Sequence, residues 1–356
     1  MGRRKKRLIT LAGLALLILV IWWAQANLNS YTLRILNLAA INIICAMSLN
    51  LLFGFTGQFS LGHAGFMAVG AYVTGLLILP EAAKANIFIL DPLTWPFTVL
   101  SAPFLVALLA GGAVAALIAV VIGFPVLRLR GDYLGIATLG FAEIVRVLAN
   151  NLTTVTNGAL GLKDIPPISN LWWTVGGAVI AYAVIKRIIT SSYGRAFMAI
   201  RENEVAAEAM GVSLVYYKTL SFAVSAFFAG VGGGLMASLL TTINPRTFVF
   251  MLTFNILIMV VVGGLGSLTG SIVAGLILTV IMEALRPLES PMVIFGRYIP
   301  GIPGMRMVIF AIILLIAILF LKQGIFGQRE LDLDAMAGLY RKARARLASG
   351  QKESGV

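Results

Sequence analysis

The sequence predicts an all-α polytopic membrane protein with about ten transmembrane helices, both termini cytoplasmic, and a broken or re-entrant helix among them. Three observations predict it. Hydrophobic residues fill 60% of the 356 positions and charged residues 12%, with a mean hydropathy of +0.97, a balance typical of polytopic membrane proteins. Apolar runs long enough to span a bilayer recur along the chain with no soluble domain between them. Lys and Arg concentrate in alternate gaps: segments 1–7, 125–133, 186–218 and 322–356 hold five, two, five and seven, 19 of the chain's 27. A net charge of +13 would suggest nucleic acid in a soluble protein. Here the positive-inside rule accounts for it, so the expected surroundings are membrane lipid and no nucleic-acid partner is expected.

The elements follow in order. A basic N-terminus, 1–7, precedes an apolar run from Leu8 to about Ala26. Ala24-Gln25-Ala26 resembles a signal-cleavage site, whereas the length of the run and Trp22-Trp23 suit an uncleaved first span. The second span, Leu33 to Gly54, carries Asn37, Asn42 and Asn50, which should face other helices. Residues 54–72, GFTGQFSLGHAGFMAVGAY, hold eight Gly or Ala interleaved with Gln58, Ser60 and His63. Two readings stand: a broken element beside a transport pathway, or close small-residue packing with His63 as a structural residue. Spans at 98–124 and 133–150 flank an inner basic turn. The latter span contains Glu143 and Arg146 at i, i+3, with Glu143 about 15 Å along the helix. Intramembrane charges mark either a pathway or a structural ion pair.

A sixth span from Leu171 leads to the longest polar interruption, 191–218. There Asn203 suits a helix N-cap and Gly211 a C-terminus. Glu204 and Glu208 fall on one face, Val205, Ala206, Ala209 and Met210 on another. Such a helix either rests on headgroups or meets a partner protein. Spans at 219–240, 248–262 and up to Leu285 follow, with Gly230 and Gly234 spaced for close helix contact. The Gly-rich segment 263–275 lies in the same sense as 54–72, consistent with an internal repeat. An outer loop, 286–303, with Pro287, Pro291, Pro300 and Pro303 precedes a tenth span at 305–321. The transmembrane domain is thus 8–321, followed by a basic cytoplasmic tail, 322–356.

The sequence has no phosphate-binding loop, HExxH or GxSxG motif. One histidine and one cysteine, Cys45, leave no basis for a Ser-His-Asp site, a disulfide or a metal cluster. The chain is expected to be neither an enzyme nor the holder of a cofactor or metal. A secondary transporter that couples protons through Glu143, Arg146 and His63, and a non-transporting scaffold, stay open on the residues alone.

Four stretches carry a family resemblance: MSLNLLFGFTGQFSLGHAGFMAVGAY, LRLRGDYLGIATLGFAEIVR, SSYGRAFMAIRENEVAAEAMGV and GGLGSLTGSIVAG. Over about Leu36 to Gly327 the chain resembles the LivM-type permeases of branched-chain amino acid ABC transporters. The third stretch is similar to the coupling loop of importer permeases. Ala206, Ala207 and Gly211 match its spacing, but the usual glutamate is displaced to Glu204 and the following Ile-x-Leu-Pro is absent. The resemblance implies a permease subunit of an ATP-driven importer in the cytoplasmic (inner) membrane of a bacterium or archaeon. Its substrate would be branched-chain or other hydrophobic amino acids, with urea or short amides as the alternative. It further implies a second homologous permease subunit, two cytoplasmic ATPase subunits that bind ATP, and an extracytoplasmic binding protein. Arg201, Glu204, Ala206, Ala207, Glu208 and Gly211 would couple to the ATPases, and Gln58, Ser60, His63, Glu143 and Arg146 would border the pathway.

Overall fold

Long apolar runs with no water to satisfy their backbone must hydrogen-bond within themselves, and helices dominate the computed structural model. It describes residues 3–88, 91–129, 131–289, 292–294, 297–299, 304–320, 324–327 and 330. The chain divides into two units, 30–328 and 1–29 with 329–356. In the latter unit the described part is mainly the 25-residue helix α1 (Arg3–Asn27), whose last turn is closed by the Asn27 side chain donating to the Trp23 carbonyl at 2.9 Å. The tail 322–356 lies outside the described residues except for 324–327 and 330.

The larger unit runs α2 (Ser30–Asn50), α3 (His63–Ile78), α4 (Glu81–Ile87), α5 (Phe104–Val126), α6 (Asp132–Asn151), α7 (Thr153–Thr156), α8 (Leu171–Ile189), α9 (Ser192–Glu202), α10 (Glu204–Ala209), α11 (Leu214–Leu240), α12 (Phe250–Gly263), α13 (Leu268–Ala284) and α14 (Met305–Phe320). Among the described residues, five helical segments are long and apolar enough to cross a membrane, or six if α3 and α4, bent by 119°, count as one. The protein is therefore a multi-pass helical membrane protein. One element departs from the all-α expectation: within the proline-rich loop a short antiparallel hairpin pairs β1 (Met292–Ile294) with β2 (Arg297–Ile299).

The core forms where α11 packs against α3 and α5, with α2 alongside α11, α8 and α13. Glycines permit the closest approaches. A Cβ on Gly230 would stand 2.8 Å from the Ala115 Cβ and 2.9 Å from the Gly111 carbonyl, so α5 and α11 touch backbone to backbone. The asparagines of α2 do face other helices. Asn37 accepts from Thr174 of α8 at 2.7 Å, Asn42 donates to Thr279 of α13 at 2.9 Å, and Asn50 donates to Ser271 at 2.7 Å.

The ends of α11, about 40 Å apart, gather different loops. At the Leu214 end lie the break after α2, the α12–α13 turn and the 191–213 stretch. At the Leu240 end, Leu162 and Ile243 exchange backbone bonds of 2.9 Å, and Ala102 N–H donates to the Leu77 carbonyl at 2.8 Å. Within the larger unit, segments 54–62, 191–213 and 263–267 thus group at one end of α11, and 162–165 with 241–243 at the other.

Candidate functional site

The helix of α2 does not stop at Asn50 but widens into a π-helical turn, Leu51–Phe55, before the backbone leaves helix at 57–62. Gly57, at φ +75°, turns the chain. Buried non-helical backbone must find partners, and neighbouring hydroxyls supply them. Leu61 N–H donates to Thr138 Oγ1 at 2.9 Å, Gly62 N–H to Ser60 Oγ at 3.3 Å, and Ala64 N–H to Thr253 Oγ1 at 2.8 Å. The broken segment is thus partly buried, with Gln58, Ser60 and Gly62 inside the protein and Gly57 exposed.

Gln58 and Ser60 lie in this break and His63 opens α3 directly after it, each buried. His63 Nε2 stands 3.0 Å from Ser48 Oγ. The Ser48 hydroxyl also reaches the Cys45 carbonyl, donating at 2.8 Å. His63 thus has the environment of a satisfied packing residue. Gln58 does not: its Nε2 reaches Ser221 Oγ at only 3.5 Å, and its Oε1 has no hydrogen-bond partner among the described residues. An orphaned buried acceptor is costly and calls for a donor.

Glu143 and Arg146 are brought together with each other but not with this cluster. α6 turns Phe141 and Ala142 onto α3, with the Phe66 and Phe141 rings 4.9 Å apart. Glu143 and Arg146 consequently face away from the chain, their side chains 53% and 31% exposed. Arg146 Nε contacts both carboxylate oxygens, at 2.9 and 3.0 Å. A groove of about 640 Å³ between α3, α5 and α6 is lined by apolar side chains apart from Tyr72 and Thr156; it suits an apolar occupant rather than a zwitterion. Among the described residues no group of three His, Cys, Asp or Glu side chains could hold a metal ion.

The 191–213 stretch is two helices, and 214–218 begin α11. Ser191 caps α9 by accepting from Tyr193 N–H at 3.1 Å, and Phe197 and Ile200 bury its inner face. Asn203 caps α10 by accepting from Ala206 N–H at 3.0 Å. The chain then reverses at Gly211, φ +86°, with Val212 N–H donating to the Ala207 carbonyl at 3.0 Å. Of the residues expected to couple to the ATPases, Ala207 is buried while Ala206 and Glu208 are exposed.

The faces of α10 differ from the periodicity reading. Glu204 does not share an outward acidic face with Glu208; it pairs with Lys218, whose side chain is 6% exposed. A buried ammonium needs a counter-charge, and this draws Glu204 inward. Val205 and Met210 are left outward, 66% and 85% exposed. Arg201 donates to Glu202, at 2.6 Å, and to the Gly54 carbonyl, at 2.9 Å. Lys218 was the residue hidden from sequence reasoning. Its one visible signal is a lone lysine at the start of an apolar run.

The comparisons agree with the resemblance. The family model described as "Branched-chain amino acid transport system / permease component" matches residues 31–319. The chain is 33% identical over 317 residues, 79% of this chain and 70% of the relative, to the high-affinity branched-chain amino acid transport system permease protein LivM of Escherichia coli (strain K12). It is 23% identical over 319 residues, 81% of this chain and 91% of the relative, to the probable branched-chain amino acid transport permease protein LivM of Methanocaldococcus jannaschii. It is 25% identical over 310 residues, 81% and 92% of the two chains, to the high-affinity branched-chain amino acid transport system permease protein LivH of Salmonella typhimurium. No solved structure matches it.

Proposed function

This chain belongs to the branched-chain amino acid transport permease family, and from that premise we propose that it is one membrane subunit of an ATP-binding-cassette importer in the cytoplasmic membrane. Its substrate is a branched-chain or other hydrophobic amino acid. A second homologous permease completes the pathway, two cytoplasmic ATPase subunits bind and hydrolyse ATP, and an extracytoplasmic protein delivers the substrate. The chain crosses the membrane ten times, with 1–7, 191–218 and 322–356 on the cytoplasmic side.

The observation that carries this reading is the arrangement at the Leu214 end of α11. A solvent-facing helix pair, α9–α10, sits directly on a partly buried break that holds an unsatisfied polar group, Gln58 Oε1. Val205 and Met210, flanked by Glu208, give α10 an exposed apolar surface suited to a groove on the ATPase. ATP-driven movement of that groove biases the chain between two states through contacts that differ in each.

The pathway reading joins the break to α6, which packs on it through Thr138. A charged pair at span depth is costly against lipid. We read the Glu143–Arg146 face as covered by the second permease, with the substrate route between the two subunits. Uptake of labelled leucine into proteoliposomes tests the class. Uptake requires the second permease, both ATPases, the binding protein and ATP. Uptake by this chain alone on a proton gradient refutes the importer reading in favour of a secondary carrier.

A further inference from the structure

We infer that Arg201 is the positioning residue that passes movement of the α9–α10 helices to the partly buried break after α2; this rests on the importer reading above. Arg201 closes the last turn of α9, yet its guanidinium is folded back into the protein, 22% exposed. Nη1 donates to the carbonyl of Gly54 at 2.9 Å. Gly54 lies in the final turn before the backbone leaves helix, where carbonyls lose their intrahelical partners. Glu202, 71% exposed, holds the other edge of the guanidinium at 3.1 and 2.6 Å. The guanidinium is therefore bonded on both edges, and its planar donors are pre-organised for two partners in a way a flexible ammonium is not.

Two glycines make room for this contact. A Cβ on Gly57 would lie 3.0 to 3.3 Å from Arg201 Cγ, Cα and Cβ, and one on Gly266 would lie 3.1 Å from Arg201 Nη1. Both glycines have positive φ, +75° and +82°. Gly266 is in turn held by Asn50: its N–H donates to Asn50 Oδ1 at 3.0 Å, while Asn50 Nδ2 donates to the Ser267 carbonyl at 2.9 Å. One side chain thus touches both Gly-rich breaks, and both are tied to the last residue of α2.

A second tie runs parallel. Glu204 pairs with Lys218, Ser221 Oγ donates to the Lys218 carbonyl at 2.9 Å, and Gln58 Nε2 reaches Ser221 Oγ at 3.5 Å. The helix pair is therefore anchored on both sides of Gly57, at Gly54 and at Gln58. The first anchor, Gly54, lies within the π turn Leu51–Phe55, and the second, Gln58, lies just beyond it. Rewinding this turn to α geometry rotates the segment beyond it, and π turns are frequent where helices must do this. Displacement of α9 pulls on the Gly54 carbonyl, the turn rewinds about Gly57, and the Gln58 amide is re-aimed.

The test uses the full complex of both permeases, ATPases and binding protein. Arg201→Gln is expected to lower uptake per ATP hydrolysed about tenfold relative to the parent, a factor within the usual range of coupling free energies. A second readout is a Ser60→Cys reporter in a Cys45→Ala background. Its reaction with a small thiol reagent changes on trapping with ATP and vanadate when residue 201 is Arg, and loses that response in Arg201→Gln. If hydrolysis, uptake and the thiol response all stay at parent levels, the inference is overturned. A joint loss of assembly, hydrolysis and uptake triggers Arg201→Lys, which keeps a donor but not the fork. If Arg201→Lys assembles and transports per ATP like the parent, or also fails to assemble, the role is structural and the inference is overturned. A parent complex that does not need ATP for uptake refutes the importer reading itself, a separate outcome.

Discussion

Breaking the Glu204–Lys218 pair tests how α10 is held. Glu204→Gln leaves the Lys218 ammonium, in a residue 5% exposed, without its carboxylate. Removing one member of a fully buried pair costs about 3–5 kcal/mol. Glu204 is 29% exposed, so water reaches the pair and the expected cost drops to about 2 kcal/mol. Lys218→Met removes the buried charge instead and leaves a carboxylate that solvent can take up, so its cost should be under about 1 kcal/mol. The double variant should then resemble Lys218→Met and recover most of the loss, a coupling of about 1–2 kcal/mol. Cys45 is the chain's single cysteine and is buried, so a thiol-reactive dye reports unfolding directly. Glu204→Gln is expected to lower the apparent Tm by about 4 °C, and the double variant by about 1 °C. If the two single effects simply add, the pair does not hold α10 and the inward orientation of Glu204 is refuted.

Four further outcomes rest on particular positions. Gly230→Leu drives a side chain into Ala115 and Gly111 and should cost about 3 kcal/mol, seen as lost monodisperse protein in size-exclusion chromatography. Gly176→Leu, where a Cβ meets nothing within 4 Å, should behave as the parent. On the proposed pathway, Glu143→Gln is expected to reach the membrane at the parent level yet lower uptake about tenfold; unchanged uptake removes Glu143 from the pathway. Gly211→Val has open space for its side chain but a backbone at φ +86°, so its cost is conformational, about 1–2 kcal/mol. ATPase pull-down should persist while uptake per ATP falls.

What the sequence made legible was local. The Asn203 cap and the Gly211 reversal are decided within a few residues, and structure and reading coincide there. So do the three asparagines of α2, because a polar side chain in an apolar run has no alternative to another helix. The π turn at 51–55, the inward Glu204 and the contact of Arg201 with Gly54 were not legible. Their causes lie far along the chain: Lys218 is 14 residues from Glu204, and Gly54 is 147 from Arg201. A more general reason is physical. In a soluble helix apolar periodicity marks the inner face, since the outer face meets water. In α5 and α11 both faces meet apolar surroundings, and that contrast vanishes. The inner face of α11 is marked instead by Ser221, Ser225, Gly230, Gly233, Gly234 and Ser238, all buried. The same rule, applied to α6, places Phe141 and Ala142 against α3 through the small residue Gly65 and leaves Glu143 outward. The residues that face away from one subunit yet cannot face lipid are then the ones to look for at the surface it shares with another.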